Sequence, residues 1–118
     1  MNKKAIGEQG EALALKYLKE YHCEILAKNY RLKTGEIDII VKDHGIIAFV
    51  EVKFRSNQYF GTPGQAVNII KQRKIINTAM LYLQRTQQTQ SLCRFDIVEI
   101  YRQCAEYKIN WLKNAFEM

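Results

Sequence analysis

The stretch Gly35–Lys53, GEIDIIVKDHGIIAFVEVK, holds two runs rich in Ile and Val, separated by the polar break Asp43-His44-Gly45. Two such runs joined by a short polar link read as a β-hairpin. Side chains of a strand alternate between faces, so Glu51 and Lys53 share a face and Val52 points the other way. With the turn centred on His44-Gly45, Asp38 stands opposite Glu51, a spacing that puts Cβ atoms about 4.5–5.5 Å apart. The other face then sets Ile37, Ile39 and Val41 against Val52, Val50 and Ala48. A slip of one residue would pair Asp38 with Val50 and spoil both faces, so the pattern demands this register.

Two carboxylates at such a distance repel unless a proton or a cation sits between them. Mg²⁺ takes one or two carboxylates and completes its shell with waters and substrate phosphates. A lysine beside it suits a phosphodiester reaction, because it can orient the attacking water or stabilise charge growing on the phosphate. The plainer reading is a surface strand with a Glu–Lys ion pair and an acid nearby. Long Ile/Val runs argue against it, since they mark strands buried on both faces. The net charge of +6 and a pI near 9.3 favour an anionic partner, commonly nucleic acid.

An acid in one strand followed by Glu-x-Lys in the next resembles the signature of the restriction-endonuclease-like, or PD-(D/E)xK, nuclease superfamily. More narrowly, the chain resembles the YraN-like family within it, related to archaeal Holliday-junction resolvases. The matching segments are GEQGEALALKYL (7–18), NYR (29–31), GEIDII (35–40), FVEVKFRS (49–56), FGTPGQAV (60–67) and RFDIVEI (94–100). The resemblance implies a nuclease dependent on Mg²⁺ or Mn²⁺ that hydrolyses phosphodiester bonds, in DNA rather than RNA, with branched or repair intermediates among its substrates. In that frame Asp38 and Glu51 hold the metal and Lys53 positions or activates water. Superfamily members often add an acid from the first helix, and Glu11 matches that position. Compact resolvase-like relatives are often dimers, so a homodimer is compatible with the resemblance.

The remaining chain supplies the frame. Ile6, Leu13, Tyr17 and Tyr21, with Ala14 and Leu18, recur at helical spacing and predict a helix over Lys3–Tyr21. Gly7 and Gly10 each cost a helix roughly 0.5–1 kcal/mol against Ala, which points to a close approach. Glu11 lies at the edge of the buried stripe; its alternative role is a surface pair with Lys16 or Lys4. A strand follows over 24–31, with Lys28, Arg31 and Lys33 around Tyr30. Such a mixture suits a phosphate backbone, and equally a solvated edge that lysine protects from aggregation. Glu36 shares Asp38's face, as an outer ligand or a partner for Lys53 or Arg55. The loop 55–64 leaves the strand bearing Glu51 and Lys53, which sets Arg55 and Tyr59 near the candidate site. Thr62, Pro63 and Gln65 make an N-cap and capping box for a second helix reaching Arg85, although the superfamily resemblance implies that Gln65 could instead assist the site. Ile69, Ile76, Ala79, Met80 and Leu83 form its expected buried stripe. Lys71, Lys74 and Arg85 fall opposite, on a solvated side that would meet phosphates only if it borders the acids. TQQTQS (86–91) is a linker. CRFDIVEIY (93–101) is a strand parallel to the hairpin strand, with Asp96 structural and paired to Arg94. KINWLKNAF is a last edge strand, with Trp111 packed on a helix.

Several classes are excluded. No run of 18 apolar residues exists to span a membrane, and the acids near the N-terminus do not fit a signal peptide. Cys23, Cys93 and Cys104 are odd in number and widely spaced, which indicates neither zinc nor disulfides and fits reduced thiols in a cytoplasm. His22 and His44 have neither zinc-binding partners nor an adjacent nucleophile, and there is no P-loop. The expectation is one α/β domain over residues 1–118, ordered α-β-β-β-α-β-β around a mixed sheet. Alternatives to nuclease activity are a nucleic-acid-binding module without turnover and a protein-interaction subunit.

Overall fold

A computed structural model describes residues 3–55 and 67–118, with side chains from Gly7 onward. The order is α1 (Lys3–Glu20), β1 (Glu24–Leu32), β2 (Gly35–Asp43), β3 (Ile46–Arg55), α2 (Ile69–Arg85), β4 (Cys93–Gln103) and β5 (Glu106–Phe116). This is the expected α-β-β-β-α-β-β succession. The five strands form one sheet in sequence order, antiparallel except for the parallel pair β3 and β4. The exception follows from the connections. Tight turns can join only antiparallel neighbours, and the long passage through α2 allows a crossover.

Each sheet face carries its own core. Ile40, Ile47, Phe49, Phe95 and Ile97 pack with Ile75, Ala79, Tyr82 and Leu83 of α2. Ile39, Val41, Ala48, Val50 and Val98 pack with Ala14 and Leu18 of α1. Helix α1 ends as the periodicity requires. His22 takes the left-handed conformation at φ 66°, the Cys23 N–H reaches Leu18 O at 3.0 Å, and the His22 N–H reaches Lys19 O at 3.0 Å. This pair of bonds satisfies carbonyls left open at a helix end. Gly10 makes the close approach expected of it, since a Cβ there would lie 3.2 Å from Phe54 Cδ2. Gly7 does not: among the described residues, nothing stands within 4 Å of its would-be Cβ.

Helix α2 departs from expectation. It begins at Ile69, and Asn68 caps it by accepting the Lys71 N–H at 2.9 Å. Thr62, Pro63 and Gln65 lie outside the described residues. The buried positions are Ile75, Thr78, Ala79, Tyr82 and Leu83, while Ile69 is exposed and Ile76 and Met80 are half-buried. The stripe is therefore rotated by about one residue from the one read in sequence, and that rotation matters for the site.

The hairpin register is the one demanded. Asp43 pairs with Ile46, Val41 with Ala48 and Ile39 with Val50. His44 and Gly45 both have positive φ, 50° and 86°, as a two-residue hairpin turn needs. Ile37 is a correction, because it joins the α2 face and not the face of Ile39. The neighbouring strand bends there. Asn29 adopts φ 51° between the pairs Lys28–Ile39 and Tyr30–Ile37, level with Asp38. Beside Val50 of β3, Asp96 is fully buried. It accepts from Arg94 Nε at 3.0 Å, Trp111 Nε1 at 2.9 Å and the Asn114 N–H at 2.9 Å. It is structural, as its pairing with Arg94 indicated. Trp111 packs edge-on against Tyr17 and Tyr21 of α1.

Candidate active site

The site lies where β2 and β3 part. Their paired residues end at Ile39–Val50, and one step further the Asp38 side chain takes over the backbone's role. Its Oδ2 accepts the Val52 N–H at 2.8 Å. The parted strands open a cavity of about 490 Å³ against the first half of α1. Glu11, Asp38, Glu51 and Lys53 all line it. Gly35 positions the start of β2: a Cβ there would sit 3.1 Å from Lys74 Cβ and 3.2 Å from Lys74 O. Its lack of a side chain lets the β1–β2 turn press on α2, and Thr34 Oγ1 meets Thr78 Oγ1 at 2.7 Å. That contact brings the first turn of α2 over the acids. Lys71 Nζ stands 2.5 Å from Glu51 Oε1.

The electrostatics are those of crowded acids. Burial raises the Asp38 carboxyl, the charge of Glu51 raises it further, and the bond from Val52 only partly offsets them, leaving it at about 8. Burial also raises Glu11, helped by the charges of Glu36, Glu51 and Glu8. Burial works against the charge of Lys71, but its bond to Glu51 and the charges of Glu51, Asp38 and Glu36 together outweigh that and hold it above the ordinary lysine value. Near neutral pH such a pocket must keep a proton on Asp38 or admit a cation. Among the described residues, no three His, Cys, Asp or Glu side chains gather as a metal cluster. Two carboxylates are nonetheless the number Mg²⁺ uses when waters and phosphates complete its shell. The ammonium already seated on Glu51 shows that the pocket attracts positive charge. The donor set therefore fits a hard divalent cation held by Asp38 and Glu51.

The other candidates divide. Arg31 lines the same cavity, but its guanidinium pairs with Glu36 at 3.1 Å, so the partner of Glu36 is neither Lys53 nor Arg55. Lys74 joins Lys71 around an adjoining hollow of about 350 Å³ that shares Asp38 and Glu51. Lys33 lines a separate surface hollow with Leu81 and Arg85. Arg55 turns to Glu99 on β4, with both side chains largely buried. Tyr59 and Gln65 lie outside the described residues. Lys53 is half-buried and, among the described residues, makes no ion pair. The placement of Lys71 corrects the solvated side expected for it. A signal for it exists in the sequence: a helical stripe phased on Thr78, Ala79 and Tyr82 runs back through Ile75 to Lys71.

Comparison with known proteins places this scaffold. The model of the Uncharacterised protein family UPF0102 matches residues 10–100, which include every acid and both lysines of the cavity except Glu8. The chain belongs to the UPF0102 family. It is 47% identical to a UPF0102 protein of Clostridioides difficile over 98% of this chain and 100% of that one. It is 42% identical to one from Caldicellulosiruptor saccharolyticus, again over 98% and 100%. A UPF0102 protein of Geobacter metallireducens is 38% identical across this whole chain. The similarity thus covers the whole site-bearing frame, from α1 to β4. Among the described residues of this UPF0102 chain, no helix is long and apolar enough to cross a membrane.

Proposed function

We propose that this UPF0102 protein is a nuclease of the PD-(D/E)xK superfamily, using Mg²⁺ or Mn²⁺ in the cytoplasm to hydrolyse phosphodiester bonds in DNA. The observation that carries the reading is the meeting of Asp38, Glu51 and Lys53 in one cavity, with the Asp38 carboxyl raised to about 8. A divalent cation bound by Asp38 and Glu51 would polarise the phosphate and lower the pKa of a bound water. The Val52 N–H fixes the orientation of Asp38. Lys53 orients the attacking water and donates to the phosphate oxygen that gains charge. Glu11, on α1, is the outer ligand, and Arg31 guides the phosphate backbone into the cleft. Branched and repair intermediates are the substrates to try first, and a homodimer would give two such sites for them.

Purified protein with Mn²⁺ should cut branched, single-stranded or duplex DNA. Lys53→Ala and Asp38→Ala should each abolish cutting while leaving the fold intact by circular dichroism; unchanged cleavage in both refutes the reading. A second reading, a DNA-binding protein without turnover, draws support from Lys71, which neutralises Glu51 without any metal. Binding that weakens steeply with salt, with no cut under any divalent cation, would favour it.

A further inference from the structure

We propose that Lys71 is an internal counter-ion that yields Glu51 to an incoming divalent cation and is thereby freed to bind a substrate phosphate, so that metal and nucleic acid bind cooperatively. This rests on the nuclease reading and adds a coupling between its two ligands.

Four observations carry it. First, Glu51 is 5% exposed and Lys71 is 44% exposed, so the acid is fixed and the ammonium is the partner able to leave. A lysine ammonium rides on a flexible four-carbon stem, which makes that exchange a matter of side-chain rotation. Second, Lys71 occupies the first turn of α2, which has no acidic residue. A cation is unfavourable at that end of a helix, where the backbone N–H groups present partial positive charge. The helix therefore does not hold the ammonium there; Glu51 does. Third, Glu36, Asp38, Glu51 and Lys71 line both the main cavity and the adjoining hollow, so Lys71 stands on the boundary between them. Fourth, Lys74 lines that second hollow one turn along α2. An ammonium displaced from Glu51 would meet Lys74 there, and two lysines one helical turn apart can grip a phosphate group. While Lys71 is paired with Glu51, its charge is spent on the protein. Once a cation takes its place, the same charge is available to nucleic acid.

The test separates the coupling from the nuclease reading itself. Mn²⁺ binding, followed by electron paramagnetic resonance without DNA, should be on the order of tenfold tighter in Lys71→Gln, because the metal no longer competes with an ammonium. Lys71→Arg, which keeps the charge, should stay within about threefold of the parent. Binding of a labelled DNA duplex, read by fluorescence anisotropy, should differ little between parent and Lys71→Gln in EDTA. In Ca²⁺ the parent should gain affinity and Lys71→Gln should gain much less. In the unaltered protein, whatever becomes of the variants, Ca²⁺ must tighten DNA binding and DNA must tighten Ca²⁺ binding by the same factor. Mn²⁺ binding that is equal or weaker in Lys71→Gln, yet abolished by Glu51→Gln, would overturn the counter-ion proposal and leave the metal site standing. Mn²⁺ binding indifferent to Glu51→Gln would overturn both.

Discussion

Replacing Asp38 by Asn should make the metal-free protein more stable, by an amount that grows with pH. The unfolded chain ionises this carboxyl around its ordinary value of 3.8, whereas in the folded protein it holds its proton to about 8. Between those values folding must recover a proton. Relative to the Asn form, the parent has full stability below pH 3.8 and loses it progressively until about pH 8, after which the difference is constant. At about 1.36 kcal/mol per pH unit, the upper bound is about 6 kcal/mol. The carboxyl lines an open cleft and Lys71 answers part of its charge, so we expect about 2 kcal/mol at pH 9, or roughly 8 °C in Tm. Asn keeps an oxygen for the Val52 N–H and turns an amide toward Glu51, so the packing is preserved. Urea melts of both proteins in EDTA at pH 4, 6, 7.5 and 9 would trace the difference. Saturating Mn²⁺ should then reverse the order, since ligand at one hundred times its Kd stabilises the parent alone by about 2.7 kcal/mol. A difference that does not change with pH, or an Asn form less stable than the parent at pH 9 in EDTA, would refute the electrostatic account of the cleft.

Gly35→Ala should cost about 1–3 kcal/mol, because its Cβ would press on the Lys74 backbone; the separated turn should also slow cleavage, seen as a lower kcat in the folded variant. Asp96→Ala should cost about 3–5 kcal/mol in a urea melt by leaving the buried Arg94 short of a partner, with little effect on Mn²⁺ affinity, since Asp96 stands beside Val50 and points to the sheet face opposite that of Glu51. His22→Gly should stabilise the protein by about 0.5–1 kcal/mol, since glycine adopts the left-handed conformation at the end of α1 without strain. A loss of stability there would mean that the His22 ring makes a contribution the backbone argument ignores.

Local residue pattern was enough to read the strands, the hairpin register and the carriers of the acid pair. Period-two alternation bounded by a two-residue turn is a local property, and a one-residue slip would have buried charge, so only one register was possible for the hairpin, which holds from Asp43–Ile46 to Ile39–Val50 but stops short of the expected Asp38–Glu51 pair. The structural role of Asp96 was legible for the same reason, from Arg94 two residues away on the same face of β4. Packing between distant elements sets where β2 leaves β3, why Ile37 changes faces at the Asn29 bend, and which side of α2 meets the sheet. Two apolar stripes were available on α2. The choice between them rests on Gly35 and Thr34 docking against Lys74 and Thr78, residues some forty positions apart in the chain. That docking brings Lys71 onto Glu51, a contact set by how two elements pack and not by the local pattern of either.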